Sequence, residues 1–318
     1  MEQRKRIAYL IAAHSDPLHL QRLVGALDVD ADFFIHIDKK QPITPFTELI
    51  NKPNVTFLAD SNRVKVYWGG FSQVQATLNL LEACLAAIDR LQVAYTKIVF
   101  MSGADYPIKS NDYIHRFFEE HPDTNFIRGM NITRANTVKY NYCIRNYLFF
   151  NFQFRSALLT RVTRKFLNVT ANWFARKPNY IETKPGNRMD IFHGSSWWAL
   201  NSDVVQHILT QADRHNEVRG YFKLSLASDE KFFHTFFFNS VYTASNGKGG
   251  EEPYVPHTSA FANLHLIDPS LQKWFGPEDF DAIRTSDKLF VRKVSSRKSA
   301  ALLDRIDREL LRQKTSTR

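Results

Sequence analysis

Residues 7–13, Ile-Ala-Tyr-Leu-Ile-Ala-Ala, are an unbroken apolar run of strand length. A strand with no polar face needs cover on both sides, as in a parallel sheet sandwiched between helices. A helix start follows at once. Asp16 can cap it, Pro17 suits its first position, and Leu18, Leu20, Leu23, Val24 and Leu27 supply an apolar face. The alternation continues with strands expected at 32–38 and 55–58, a further short one at 64–67, and a buried strand at 97–102. Between them, Val74, Leu78, Leu81, Leu85 and Ile88 predict a long amphipathic helix over 72–91, and a shorter helix is expected over 111–120. This rhythm predicts an α/β fold with a mostly parallel central sheet flanked by helices, in which ligands bind beyond the carboxyl ends of the strands. His14, Asp38 and Asp105 occupy such strand ends.

The second half reads differently. Residues 131–185 are rich in Arg, Asn and aromatics with weak periodicity, and suggest an irregular lobe or helical insertion that could carry an acceptor. Regular structure is expected again at 192–200, with helices at 202–212, 228–237 and 277–284, a Gly/Glu/Pro loop at 247–256 and a short strand or turn at 288–294. Residues 299–313 predict a charged amphipathic helix with Leu302, Leu303, Ile306, Leu310 and Leu311 on one side and basic residues from Arg305 to Arg318 around it. That pattern suits peripheral docking on an anionic membrane and packing on the protein's own domain equally well. The expected organisation is one domain over 1–298 and a basic tail over 299–318.

Charge limits the partners. With 42 Lys and Arg against 32 Asp and Glu, the 318-residue chain carries +10, which suits nucleic acid, an anionic membrane or phosphate-bearing substrates. No helix-turn-helix, RNP or zinc-finger pattern supports nucleic acid. The 26 Phe serve either an aromatic core or a stacking surface for sugar rings. Cys84 and Cys143 are too few for a disulfide framework and belong to no CxxC pair. No run approaches the ~18 apolar residues of a membrane span, and 7–13 is too short for a signal sequence, so a cytoplasmic location is expected.

Several chemistries lack their motif. The turn after the first strand holds Ala12-Ala13-His14-Ser15-Asp16 instead of GxGxxG, and neither a Walker loop nor HExxH occurs. The Asp-x-Asp pairs Asp28/Asp30, Asp30/Asp32 and Asp279/Asp281 do not follow a strand, so they read as solvated surface and no metal site is expected.

Seven clusters, in order, are more specific: Ala8 to His14 with Asp16-Pro17; Phe34-Ile35-His36-Ile37-Asp38-Lys39-Lys40; Trp68-Gly69-Gly70; Met101-Ser102-Gly103-Ala104-Asp105-Tyr106-Pro107; His193-Gly194-Ser195-Ser196-Trp197-Trp198; Ser228-Asp229-Glu230-Lys231-Phe232-Phe233; and Leu289-Phe290-Val291-Arg292-Lys293. Together they resemble the core-2/I-branching β-1,6-N-acetylglucosaminyltransferase family, which includes peptide O-xylosyltransferases. The resemblance runs from about Ile7 to Val294, with no counterpart placed for 131–185.

The resemblance implies a GT-A-type nucleotide-sugar fold, a UDP-sugar donor (UDP-GlcNAc first, a xylosyl donor as the alternative), inversion at the anomeric carbon, a glycan or lipid-linked glycan acceptor and no metal cofactor. Glu230 takes the role of general base, against a plain reading in which Ser228, Asp229 and Glu230 cap the following helix. Lys293 matches a lysine on the diphosphate. The family's upstream arginine falls at His265, leaving Arg292 or another cation to compensate. Asp38 resembles a carboxylate on the uracil–ribose portion, with His14 lining the same site. Asp105 is either an acid in the sugar pocket or the anchor of the Tyr106-Pro107 turn. Ser195, Trp197 and Trp198 border the sugar or acceptor pocket; on a strand, only one of the two tryptophans can face it. Without the disulfides and anchor of Golgi relatives, the chain is expected to be a bacterial-type member acting at the inner face of the membrane.

Overall fold

In the computed structural model, which describes residues 6–184, 186–254 and 261–311, strands and helices alternate through the first 120 residues as the apolar pattern predicts. In chain order these are β1 (Arg6–Ala13), α1 (Pro17–Ala26), β2 (Ala31–Ile37), α2 (Thr44–Leu49), β3 (Val55–Phe57), α3 (Ser72–Leu91), β4 (Tyr95–Ser102), β5 (Asp105–Pro107) and α4 (Asn111–Glu119). Then come β6 (Gly129–Asn131), α5 (Ile132–Ala135), α6 (Val138–Arg145), α7 (Ala157–Phe174), β7 (Tyr180–Lys184), β8 (Asn187–Asp190), β9 (Phe192–Gly194) and β10 (Ala199–Leu200). The rest comprises α8 (Ser202–Arg214), α9 (Asn216–Lys223), α10 (Phe232–Phe238), β11 (His265–Ile267), α11 (Phe280–Thr285), β12 (Phe290–Arg292) and α12 (Ala300–Ile306).

The central sheet has the order β10-β4-β1-β2-β3, parallel except for β10. Period-2 alternation sends Ala8 and Leu10 of β1 into one core and Ile7, Tyr9 and Ile11 into another, so both faces are covered. Helix α3 packs in the first core and α1 in the second. A smaller sheet, β11-β12-β5, hangs from the end of β4, with β12 antiparallel to β5 and parallel to β11. Asp16 caps α1 by accepting from the His19 amide at 3.1 Å.

Two expectations change, and two open alternatives are decided. Residues 64–67 form no strand: the Val64 amide donates to His36 Nε2 and the Val66 amide to Asp38 Oδ1, so side chains take the bonds a ladder would need. The expected helix at 228–237 is a 3₁₀ turn, Ser228–Glu230, followed by α10, and Lys231 between them breaks the run at φ −133°. The insertion is largely helical, and its 18-residue α7 is long and regular. Of the two readings of the C-terminal helix, packing on the domain is observed: Leu302, Leu303 and Ile306 are fully buried in the second core. Arg312, Lys314 and Arg318 lie outside the described residues. No helix among the described residues is long and apolar enough to cross a membrane.

Candidate active site

Glu230 stands in the tight turn between α9 and α10. Ala227 adopts φ 51°, its amide donates to the Gly69 carbonyl at 2.9 Å, and Lys231 Nζ donates to the Leu226 and Ala227 carbonyls at 3.0 Å each. This explains the Trp68-Gly69-Gly70 cluster. Gly69 sits at φ 73°, and a Cβ at Gly70 would lie 2.5 Å from Asn151 Oδ1. Ser228 is buried and donates to the Phe222 carbonyl at 2.7 Å, and α10 has no side-chain cap. The capping reading of Ser228, Asp229 and Glu230 is therefore corrected.

Two carboxylates remain at the turn. Asp229 accepts from Ser196 Oγ at 2.8 Å and from Gln73 Nε2 at 3.3 Å. Glu230 keeps 26 % of its side chain exposed, with Oε2 at 3.8 Å from His193 Nδ1. Burial pushes the Glu230 pKa up to about 7, with Asp229 adding to the rise and Lys231 and Lys139 opposing it. His193 is buried and held neutral, so it does not offset the carboxylate. A carboxyl group poised near neutrality with an open face can take up a proton at working pH.

Asp105 is enclosed. Its carboxylate accepts from the Ser102 amide at 2.7 Å, Ser102 Oγ at 2.8 Å and Arg292 at 2.8 Å, and His265 Nε2 lies 3.2 Å away. Burial alone would raise its pKa; Arg292, His265 and the Ser102 bonds outweigh that and hold it well below the carboxylate range. With no exposed surface, Asp105 is placed as an anchor of the β4–β5 turn and of Arg292, not as an open pocket acid. The Arg292 guanidinium also bonds Ser102 Oγ and lies 4.2 Å from the ring centre of Trp197.

The sequence-derived residues converge at the carboxyl ends of β1 and β2. His14 is exposed there, and its pKa is lowered by burial of part of its ring and by Lys40, Arg292 and Lys293, against a pull from Asp38. Asp38 accepts from the Lys40 and Val66 amides at 2.9 and 3.2 Å. Lys293 forms no salt bridge with a carboxylate among the described residues; burial and the neighbouring Arg292 lower its pKa. Lys40, quoted only as part of a motif, thus joins the cluster, with Nζ 3.3 Å from Asp38.

The tryptophans divide, although residues 195–198 lie between β9 and β10 and form no strand. Trp197 is partly exposed, stacked on Phe100 and under Arg292, and so borders the site. Trp198 is 1 % exposed between Phe100 and Phe233, a core residue instead of a pocket residue. Ser195 is buried, its Oγ 3.4 Å from the Trp197 amide. The Asp229–Ser196 hydrogen bond and the Arg292–Trp197 ring contact thus join segments 196–197 and 292–293 to the Glu230 turn. Sequence reasoning missed a groove of about 600 Å³ beside the turn, lined by Tyr67, Trp68, Tyr142, Phe150, Arg161 and Arg164 among others. Most of that wall comes from the insertion, which no motif marks. Among the described residues, no three His, Cys, Asp or Glu side chains are grouped to hold a metal ion.

Residues 7–249 match the family model described as Core-2/I-Branching enzyme. Xylosyltransferase 1 of Rattus norvegicus is 24% identical over 245 residues, 74% of this chain and 26% of the relative. The human N-acetyllactosaminide beta-1,6-N-acetylglucosaminyl-transferase is 25% identical over 279 residues, 86% of this chain and 59% of the relative. A probable beta-1,3-galactosyl-O-glycosyl-glycoprotein beta-1,6-N-acetylglucosaminyltransferase 7 of Sus scrofa is 23% identical over 218 residues, 67% of this chain and 45% of the relative. The chain spans between about a quarter and three fifths of the length of these curated relatives. Glu230 lies inside the matched family range, and Arg292 and Lys293 lie beyond it.

Proposed function

The chain belongs to the Core-2/I-branching enzyme family, and on that footing we propose that it is a glycosyltransferase moving a sugar from a UDP-sugar to a hydroxyl of a glycan, with inversion and without a metal ion. The observation that carries this reading is Glu230, a half-open carboxyl group with its pKa near 7, its turn joined by the Asp229–Ser196 and Arg292–Trp197 contacts to the segment of the cations Arg292 and Lys293.

In this reading Glu230 accepts the proton of the acceptor hydroxyl as its oxygen bonds to the anomeric carbon. On the opposite face the bond from that carbon to the diphosphate oxygen breaks, and UDP departs with the electron pair. Lys293 faces the developing negative charge, and Arg292, fixed by Asp105, adds a positive field needing no rearrangement. Asp38 and His14 contact the nucleoside end, and Trp197 offers a ring face to a sugar.

GlcNAc is the first donor sugar, from the names of the human and porcine relatives. Xylose is the second reading, favoured by the similarity to xylosyltransferase 1. The test is UDP release from UDP-GlcNAc and UDP-xylose, and thermal protection by UDP, each with and without EDTA. Release of UDP from one donor in EDTA is expected. A strict need for Mn²⁺ or Mg²⁺ ends the metal-free mechanism, and neither UDP release nor protection under any condition ends the whole reading.

A further inference from the structure

Helix α7 is amphipathic the wrong way round for a soluble domain. Its uncharged polar side chains Thr160, Asn168 and Asn172 point inward. Asn168 accepts from the Phe149 amide at 3.0 Å, Asn172 accepts from the Tyr147 amide at 2.8 Å and donates to the Tyr147 carbonyl at 2.9 Å, and Thr160 accepts from the Phe154 amide at 2.9 Å. These bonds serve the backbone of residues 147–154, which has no strand partner, and so they dictate which face of the helix must be polar.

The apolar residues are left on the outside. Leu158, Val162, Phe166, Val169 and Trp173 recur at helical spacing within an arc of roughly 100°, all exposed, with Phe166 at 65 % and Trp173 at 82 %. The stripe, from Leu158 to Trp173, is about 22 Å long on an 18-residue helix. Arg161 and Lys165 edge it on one side, both exposed. Between Thr124 and Ile181 the chain carries ten Lys or Arg and neither Asp nor Glu, so the whole excess of +10 is matched by this one segment.

We infer that α7 lies flat on an anionic lipid surface, its apolar stripe at the headgroup–acyl boundary and its basic edge on the headgroups. Leu, Phe and Trp on one face beside Lys and Arg, with no acidic residue, is the composition that interfacial helices use. An acid-free surroundings favours lipid phosphates over a second copy of this chain, which would bring the same positive charge face to face. The docked helix also forms one wall of the 600 Å³ groove, with Trp68, 79 % exposed, opposite. The groove thus opens next to the bilayer, where a glycan on a lipid carrier would be presented. Only this last clause rests on the proposed function.

Co-sedimentation tests the inference, using vesicles of phosphatidylcholine alone and with 30 mol% phosphatidylglycerol. Binding to the anionic vesicles, weakened by salt, and at least ten-fold weaker binding to the neutral ones are expected. Phe166→Glu with Val169→Glu, both on the exposed face, should cut anionic binding by ten-fold or more while thermal stability and protection by UDP stay as in wild type. Blue-shifted fluorescence on vesicles, lost in Trp173→Phe, would place the stripe in the lipid. No vesicle binding at low salt, or binding that the double substitution leaves intact, overturns the inference. So does a dimer in light scattering that the same substitution dissociates while wild type ignores vesicles, since α7 is then a subunit interface.

Discussion

Glu230 carries the sharpest test at the scale of single residues. Replacement by Gln keeps its shape and removes its basicity, so turnover should fall by about 10²–10⁴ or more with donor affinity little changed. Wild-type turnover should rise with pH through about 7, the value to which burial lifts the group. Stability moves the opposite way. Between the ordinary 4.5 and about 7 the native state holds a proton that the unfolded chain has lost. The Glu230 contribution is therefore complete below 4.5 and disappears as pH rises through 7. Glu230→Gln should accordingly melt higher than wild type at pH 8; a lower melting point with activity kept would return Glu230 to a structural role. Asp105 and Lys293 form the contrasting pair. Asp105→Ala strips the fully buried partner from a half-buried guanidinium and should cost about 3 kcal/mol in urea denaturation. Lys293→Ala should leave the denaturation curve in place and weaken UDP binding in calorimetry. The place of Glu230 just ahead of the aromatic helix was legible from its motif; the enclosure of Asp105 was not, because it depends on β12 pairing with β5 across 187 residues of chain.

Among the elements, those with a clean apolar period were legible and those organised by polar side chains were not. Helix α3 matches its expected span because its apolar stripe, Val74, Leu78, Leu81, Leu85 and Ile88, faces one core. Residues 64–67 read as a strand from composition, yet His36 and Asp38 supply their backbone partners. Weak periodicity in the insertion had a physical source as well: α7 buries its amides and exposes its hydrocarbon, so the usual inference from apolar stripe to core fails. In the C-terminal helix the stripe does face the core, and Arg22 adds bonds to Asp304 and Asp307 at 2.8 and 2.7 Å. Leu303→Ala should therefore lower stability by about 2–5 kcal/mol, as for other large-to-small changes in a packed core. A cost under 1 kcal/mol would mean that the helix is only loosely attached.

For the whole molecule, the two apolar cores lie on opposite faces of one sheet and share its strands residue by residue. Loss of β1 or β4 removes a wall from each. Unfolding by guanidinium should then show a single transition, with coincident far-UV and tryptophan signals, since Trp198 reports the first core. Two separated transitions would divide the chain into units that fold independently and count against one domain over 1–298. The sheet and its order of elements along the chain could be foreseen because alternating apolar runs encode them locally. The groove could not, since its walls, Trp68 and Arg161, meet only through the tertiary fold.

The carboxylate of Asp105 ties Arg292 to Ser102 and His265, so one cation serves both the cohesion of the small sheet and the field of the site. Such sharing narrows the routes open to adaptation. A change at Arg292 would first reduce the amount of folded protein, whatever it did for a new nucleotide sugar. Under the proposed function, variation among donors falls to the rim, to His14, Lys40 and Lys293, none of which pairs with a fully enclosed carboxylate as Arg292 does. In a saturation scan scored for abundance and activity in parallel, the two scores should track each other at Arg292 and Asp105 and separate at those three rim positions.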